Sequence, residues 1–299
     1  MVFIRKKTEL KIKKKIKEKT GYHVEELEKL GWYDLLSVAF DFPFCIIGGL
    51  QSSLDLAELC EVDEETKVLF VGSGTGFTAC YWAKEFGCEV VGIDIAEEMI
   101  EKSRKHANEM GVEEKVVFKK GDASSLPFEE ETFDVVISEF VAHLLDLSPM
   151  FEESFRVLKK GGKFGLNEMF KKEEVPSEKH QILAQAEEKI SKAVGVEFQL
   201  KSPSAWRKSL RSAGFEVLEI EEHVETISSW KALRDFGGFW KIIGIIGDMF
   251  RLMRVSDKIK DTFMNMSKGK RLLIKKRSAG EYTGYVLITA RKPKMAQIK

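Results

Sequence analysis

The chain is 299 residues long and 43% apolar, enough for one large α/β domain or two small ones. Its 48 basic residues balance its 48 acidic ones, and no uncharged apolar run approaches the ~20 residues of a membrane span, which excludes an integral helical membrane protein. Cys45, Cys60, Cys80 and Cys88 show no paired metal-ligand spacing, and lysines stand where a signal peptide would have its apolar core. The expectation is a reduced, cytoplasmic protein without a metal, at most peripheral to a membrane.

The charge is unevenly spread. Residues 1–20 hold nine Lys/Arg against Glu9 and Glu18, which makes that segment +7 and the remainder −7. Phe3, Ile4, Ile12 and Ile16 lie among its lysines with no base-stacking pattern, so it suits an anionic membrane surface better than nucleic acid. A solvated helix face is the plainer alternative. A second basic cluster, Lys268, Lys270, Arg271, Lys275, Lys276 and Arg277, carries the same two readings.

Residues 25–40 have helical apolar spacing broken near Gly31, Pro43 follows, and Gly48-Gly49 leads into a helix over about 52–60. Next comes Val68-Leu-Phe-Val-Gly72-Ser73-Gly74-Thr-Gly76, a β-type run breaking into three glycines at alternate positions, followed by a helix over 77–86 that Gly87 ends. Glycines there permit left-handed backbone angles and close approach of a ligand to the free N–H groups of a helix start. The next strand, 88–94, ends at Asp94, 22 residues after Gly72, about the spacing at which a strand-end acid meets ribose hydroxyls. The G-x-G-x-G spacing lacks the half of the dinucleotide fingerprint that seats a pyrophosphate, so a nucleoside-type ligand other than a dinucleotide is expected.

A helix over 96–110, a strand over 115–119 and the loop Gly121-Asp122-Ala123 follow. The apolar strand 133–138 delivers Glu139, Phe140, His143 and Asp146 to the edge where an open α/β sheet binds ligands. Glu139 suits a cation or an abstracted proton, or is a plain strand-end acid. His143 suits a general base or a packing histidine, and Asp146 a helix N-cap or a catalytic group. A helix over 149–159, a strand over 163–168 with Glu168 at its end, an amphipathic helix over 177–194 and a strand over 215–222 complete the repeat. Some 55 residues then precede the last strand, 282–290. Among them Phe236, Phe239, Trp240, Ile243, Ile246, Phe250 and Met253 recur at helical spacing, opposite Lys241, Gly244, Asp248 and Arg251. That stripe reads as core or as a lid over an apolar acceptor.

These motifs, in this order, resemble those of the class I S-adenosylmethionine-dependent methyltransferases, in particular small-molecule enzymes of the quinone and sterol type. The likeness covers about residues 48–222 and the final strand. It implies a Rossmann-like α/β fold: seven strands, mostly parallel, an antiparallel last strand, N-terminal helices and a helical insertion before that strand. It implies S-adenosylmethionine as cofactor, held by Gly72, Ser73, Gly74, Gly76, Asp94, Ile95, Asp122, Ala123 and Glu139, with Glu139 and His143 as the catalytic candidates. By the same likeness Tyr22, Trp32 and Tyr33 lie over the donor, and Gly48 to Gln51 form a rim. Phe70 departs from the family, which usually carries an acid there. The loop sequence Ser138-Glu-Phe-Val141 lacks the motifs of DNA-methylating relatives. The resulting expectation is a basic helical segment, 1–47, and a methyltransferase domain, 48–299, whose insertion spans about 227–281. The expected reaction is methyl transfer to a small-molecule acceptor of apolar, quinone-like or lipid-like character. An RNA- or protein-directed methyltransferase and a non-catalytic donor-binding regulator are the alternatives.

Overall fold

A computed structural model describes residues 2–40, 42, 48–224, 239–275 and 277–294, with side chains from residue 8 and, after the gap at 225–238, from residue 243. It divides into two compact units: Phe44–Pro176, Gln199–Thr226 and Gly280–Lys299 in one; Met1–Pro43, Ser177–Phe198 and Ile227–Ala279 in the other.

The first unit is the sheet unit. Its elements are α4 (Gly49–Leu59), β1 (Lys67–Val71), α5 (Phe77–Phe86), β2 (Glu89–Asp94), α6 (Glu97–Met110), β3 (Val116–Lys120), β4 (Phe133–Glu139), α7 (Leu147–Val157), β5 (Leu158–Lys171), α9 (Pro203–Ser212), β6 (Glu216–His223) and β7 (Thr283–Arg291). The strands form one sheet in the order β3-β2-β1-β4-β5-β7-β6, and only β7 runs antiparallel to its neighbours, as the sequence predicts. Near-continuous apolar runs in the central strands reflect burial on both faces. One face packs Val68, Phe70, Val135 and Ile137 under Leu56, Cys80 and Trp82. The other packs Leu69, Val71, Val136 and Phe164 under Phe151, Trp206 and Leu210. Strand order reverses between β1 and β4, and the two are in register from Val68↔Val135 to Val71↔Ser138. The crevice at such a reversal, beyond the carboxyl ends of the strands, is where open α/β sheets place ligands.

Two boundaries differ for local reasons. α7 starts earlier than its periodicity suggests because Asp146 is its N-cap, the carboxylate accepting the Ser148 N–H. β5 extends well past 163–168 in both directions because it pairs along its length with β7, from Lys163↔Arg291 to Lys171↔Thr283, and also reaches Phe133 on β4.

The second unit is helical: α1 (Val2–Thr20), α2 (Val24–Leu27), α3 (Trp32–Phe40), α8 (Ser177–Val194), α10 (Phe239–Val255) and α11 (Asp257–Ile274). α8 and α11 cross closely at Gly269, where a Cβ would lie 2.7 Å from Ile190 Cγ1. Trp32 and Phe40 set their rings edge-on to Phe263, at 5.0 and 5.7 Å. Lys19 of α1 and Arg251 share the Asp248 carboxylate of α10.

The helix read from the periodicity of Phe236 to Met253 corresponds to α10, after which Ser256 interrupts the run and caps α11 through a bond from the Ile259 N–H. On α10, Ile243, Ile246 and Phe250 are exposed, Phe250 at 61%, while Ile245 and Leu252 are buried. The buried arc of α10 is thus narrower than the apolar arc. Phe236 lies outside the described residues, as do the side chains of Phe239 and Trp240.

Candidate active site

The carboxyl edge of the sheet brings the predicted residues into one row. Gly72 to Gly76 follow β1, Asp94 ends β2, Gly121 to Ala123 follow β3, and Glu139 ends β4 opposite Asn167 of β5. From β3 to β4 is three strand spacings, about 14 Å, the scale of an elongated nucleoside ligand.

The glycine loop is tightly wound. Gly72, Gly74 and Gly76 all have positive φ, at 70°, 54° and 70°. A Cβ on Gly72 would lie 2.6 Å from Val141, and one on Gly76 2.6 Å from Ser103, so both positions demand glycine. A Cβ on Gly74 would meet nothing within 4 Å, because that turn faces open space. The loop is tied to β2: Ser73 N–H donates to Ile93 O at 2.8 Å, and Gly74 N–H to Asp94 Oδ2 at 2.8 Å. Asp94 Oδ1 accepts the Ala96 N–H at 3.0 Å, which starts α6. Burial raises the Asp94 carboxyl against the lowering effect of these bonds. Each oxygen retains a lone pair for a hydroxyl. Ile95, next along, is 69% exposed. Asp122 is exposed and serves its own turn, accepting the Ser124 N–H and hydroxyl, which hold its carboxyl low; Ala123 is partly buried beside it.

Glu139 and His143 are placed by two consecutive residues of β5 whose side chains leave opposite faces of the strand. Asn167, fully buried, accepts the Phe140 N–H on its carbonyl and donates from Nδ2 to Ser52 Oγ at 3.0 Å and, at 3.4 Å, to Glu139 Oε1. Glu139 Oε2 accepts the Ser53 hydroxyl at 3.0 Å, and Trp82 Nε1 donates to that same hydroxyl at 2.9 Å. Burial pushes the Glu139 carboxyl up to about 7. Glu168, also fully buried, accepts the Ala142 N–H on Oε1 at 2.7 Å and meets His143 Nδ1 on Oε2 at 2.8 Å. Phe140, between the two pairs, has φ of 56°, a left-handed angle that redirects the chain from β4 into the His143 turn.

Sequence reasoning did not single out Ser52, Ser53, Trp82 or Asn167. It proposed Gly48 to Gln51 as the rim, but the residues of α4 that reach this network are Ser52 and Ser53, both fully buried, whereas Gln51 bonds to Asp55 on the outside. The available signal was two serines beside Leu56 and Ala57 on the buried face of an amphipathic helix. Glu168, expected as an acceptor contact or a solvated end, is instead the buried partner of His143. Phe70, in the usual acidic position, stacks edge-on to Trp82 at 4.9 Å. Among the described residues no cluster could hold a metal ion.

Residues 69–166 match the family model described as a methyltransferase domain. A sterol 24-C-methyltransferase from Debaryomyces hansenii is 31% identical over 207 residues, 67% of this chain and 53% of the relative. The chain belongs to the class I S-adenosylmethionine-dependent methyltransferases. An arsenite methyltransferase from Halobacterium salinarum is 33% identical over 178 residues, 58% of this chain and 44% of the relative. This methyltransferase spans about half the length of those two relatives. The crystal structure of the MccD protein shares its fold, with a TM-score of 0.61 at 17% identity over 83% of this chain and 99% of that one.

The residues fit the cofactor of the family. The loop leaves open space at Gly74, Asp94 retains lone pairs for a diol, and the buried Ser73 and Ser138 hydroxyls at the ends of β1 and β4 have no partner among the described residues. Orphaned buried hydroxyls of this kind call for an occupant.

Proposed function

We propose that this protein transfers a methyl group from S-adenosylmethionine to a small, apolar acceptor at the β1–β4 crevice. The bound cofactor supplies an electrophilic methyl on sulfur, and the chain's own residues orient it and handle the acceptor proton. Gly72, Ser73, Gly74 and Gly76 cradle the donor; Asp94 takes the ribose hydroxyls; Ile95, Asp122 and Ala123 border the base. Glu139 marks the far end of the donor, and His143 receives the acceptor's proton. The observation that carries this reading is the His143–Glu168 pair. A buried carboxylate that already accepts one N–H fixes the imidazole orientation and favours a proton on Nδ1, the arrangement a positioned general base needs.

The apolar nature of the acceptor is supported by a relative named for a sterol; a relative named for arsenite favours a different acceptor on a similar domain. The N-terminal helix and the insertion are then accessory to a catalytic sheet unit. α1 exposes Lys11, Lys14, Lys15 and Lys17 beside Leu10, 68% exposed, which suits peripheral contact with an anionic bilayer. No helix among the described residues is long and apolar enough to cross one. Incubating the protein with methyl-labelled S-adenosylmethionine and fractionated lipid, quinone, RNA and protein extracts tests the proposal. Label should enter an organic-soluble product; label in RNA or protein alone would overturn it.

A further inference from the structure

The zero net charge of the chain hides a division between its two units. The segments of the helical unit hold 26 Lys/Arg against 15 Asp/Glu, and those of the sheet unit 22 against 33, which makes them +11 and −11. Within the helical unit α1 exposes Lys11, Lys14, Lys15 and Lys17 and lies against α10. Asp248 is the one acidic residue of α10, and Lys19 and Arg251 share its carboxylate, so that helix carries no uncompensated negative charge. Its outward face is apolar. Ile243, Ile246 and Phe250 follow one another a turn apart and are exposed, while Ile245 and Leu252 turn inward. Gly247 lies among them, and a Cβ there or on Gly244 would meet nothing within 4 Å. Single exposed apolar residues are ordinary on a protein surface; a row of them along one helix marks an interaction surface. Arg251 and Arg254, both exposed, border the end of the row, Arg254 one turn beyond Phe250.

An apolar helix face edged by arginines, on a unit of high positive charge, is the make-up of a helix that lies in the plane of an anionic interface. Its apolar side chains enter the acyl boundary and its arginines reach back to the headgroups. RNA would answer to the same charge, but it is held by aromatic platforms on which bases stack, and Ile243 and Ile246 offer none. We propose that α10 is the element that enters the bilayer, inserting Ile243, Ile246 and Phe250 into the boundary of an anionic membrane to which the basic helical unit is drawn. The inference rests on the reading of α1 as a bilayer contact and adds to it the side chains that penetrate. Binding then has two separable parts. The attraction of the lysines and arginines for anionic lipid is screened by salt, whereas the insertion of the stripe is not. The charge division also sets the orientation, because an anionic surface attracts the helical unit and repels the sheet unit.

Sedimentation of the full chain with vesicles of mixed phosphatidylcholine and phosphatidylserine, against vesicles of phosphatidylcholine alone, reads both parts. The wild-type protein should bind the mixed vesicles far more tightly. The double variant Ile246→Ser, Phe250→Ser should weaken that binding by about 10- to 100-fold. Its salt dependence should match the wild type, since no charge is altered, and its melting should be unchanged, since both side chains are exposed. Insertion is read separately from Phe250→Cys carrying a polarity-sensitive fluorophore in a Cys45→Ser background, because Cys60, Cys80 and Cys88 are buried. Lipids with a nitroxide near the headgroup should quench that probe and spare the same probe at Glu113→Cys on the sheet unit. Unchanged affinity in the double serine variant, or an unquenched probe at position 250 on vesicle-bound protein, would overturn the insertion of α10 and leave the α1 contact standing. A dimer of the free protein that the serine variant dissociates would assign the stripe to a second copy of the chain and overturn the proposal too. Binding to RNA with none to either vesicle would overturn both the α10 and the α1 readings.

Discussion

Replacing Glu139 by glutamine should make the fold more stable at alkaline pH. Burial raises this carboxyl from the ordinary 4.5 to about 7, so the folded state prefers it neutral. The sign follows from proton linkage: Glu139 contributes its stability fully below pH 4.5, and that contribution is lost as pH rises through 7. Each pH unit between the two values is worth about 1.4 kcal/mol, so the whole interval amounts to about 3 kcal/mol at most. Glutamine keeps the shape and the hydrogen bonds near Ser53 and Asn167 without a charge to desolvate. Urea unfolding of both proteins at pH 5 and pH 8 measures the effect, since contributions from His143 and all other titrating groups cancel in the comparison. The wild-type protein should lose roughly 2 to 3 kcal/mol relative to the variant between those pH values. Parallel stability profiles would mean that the Glu139 carboxyl is not desolvated in the folded state, and the description of its surroundings would be wrong.

His143→Ala should lower turnover by about 10² to 10⁴-fold if the imidazole is the general base. Glu168→Gln should shift the pH profile of kcat while leaving donor affinity unchanged; loss of fold without a shift in the pH profile would make the pair structural. Deleting residues 2–19 should reduce sedimentation with anionic vesicles and leave turnover of a soluble acceptor intact. Salt-sensitive binding of that segment to RNA in preference to vesicles would contradict the membrane reading.

The parallel strands and the row of cofactor candidates at their ends were readable because they depend on local patterns, whereas the antiparallel last strand was expected only from the likeness to the family. Glycines at alternate positions force a turn, an apolar run buried on both faces makes a central strand, and an acid about 20 residues on falls at the end of the neighbouring strand. What holds the candidate site was less legible, because it depends on register between distant strands. Nothing local in Asn167-Glu168 says that one side chain will brace Glu139 and the next His143; that follows from Glu139↔Asn167 pairing and the alternation of a strand. Ser52 and Ser53 look like tolerated polar residues in a helix until β4 and β5 lie against them. How much of the α10 stripe is covered was not legible for a related reason: periodicity shows that a helix has an apolar arc, and only the neighbours decide how much of it is covered. Ile245 and Leu252 are covered and Phe250 is not.

The most direct measurement of the central claim is calorimetry of the purified protein with S-adenosylmethionine and, separately, with a nicotinamide dinucleotide, repeated on Asp94→Ala. S-adenosylmethionine should bind at one site per chain and the dinucleotide should give no heat of binding, because the G-x-G-x-G loop after β1 seats no pyrophosphate. Asp94→Ala should weaken S-adenosylmethionine by about 1.5 to 3 kcal/mol. Dinucleotide binding in preference to S-adenosylmethionine, or undiminished S-adenosylmethionine affinity in Asp94→Ala, would contradict the placement of the donor in this crevice.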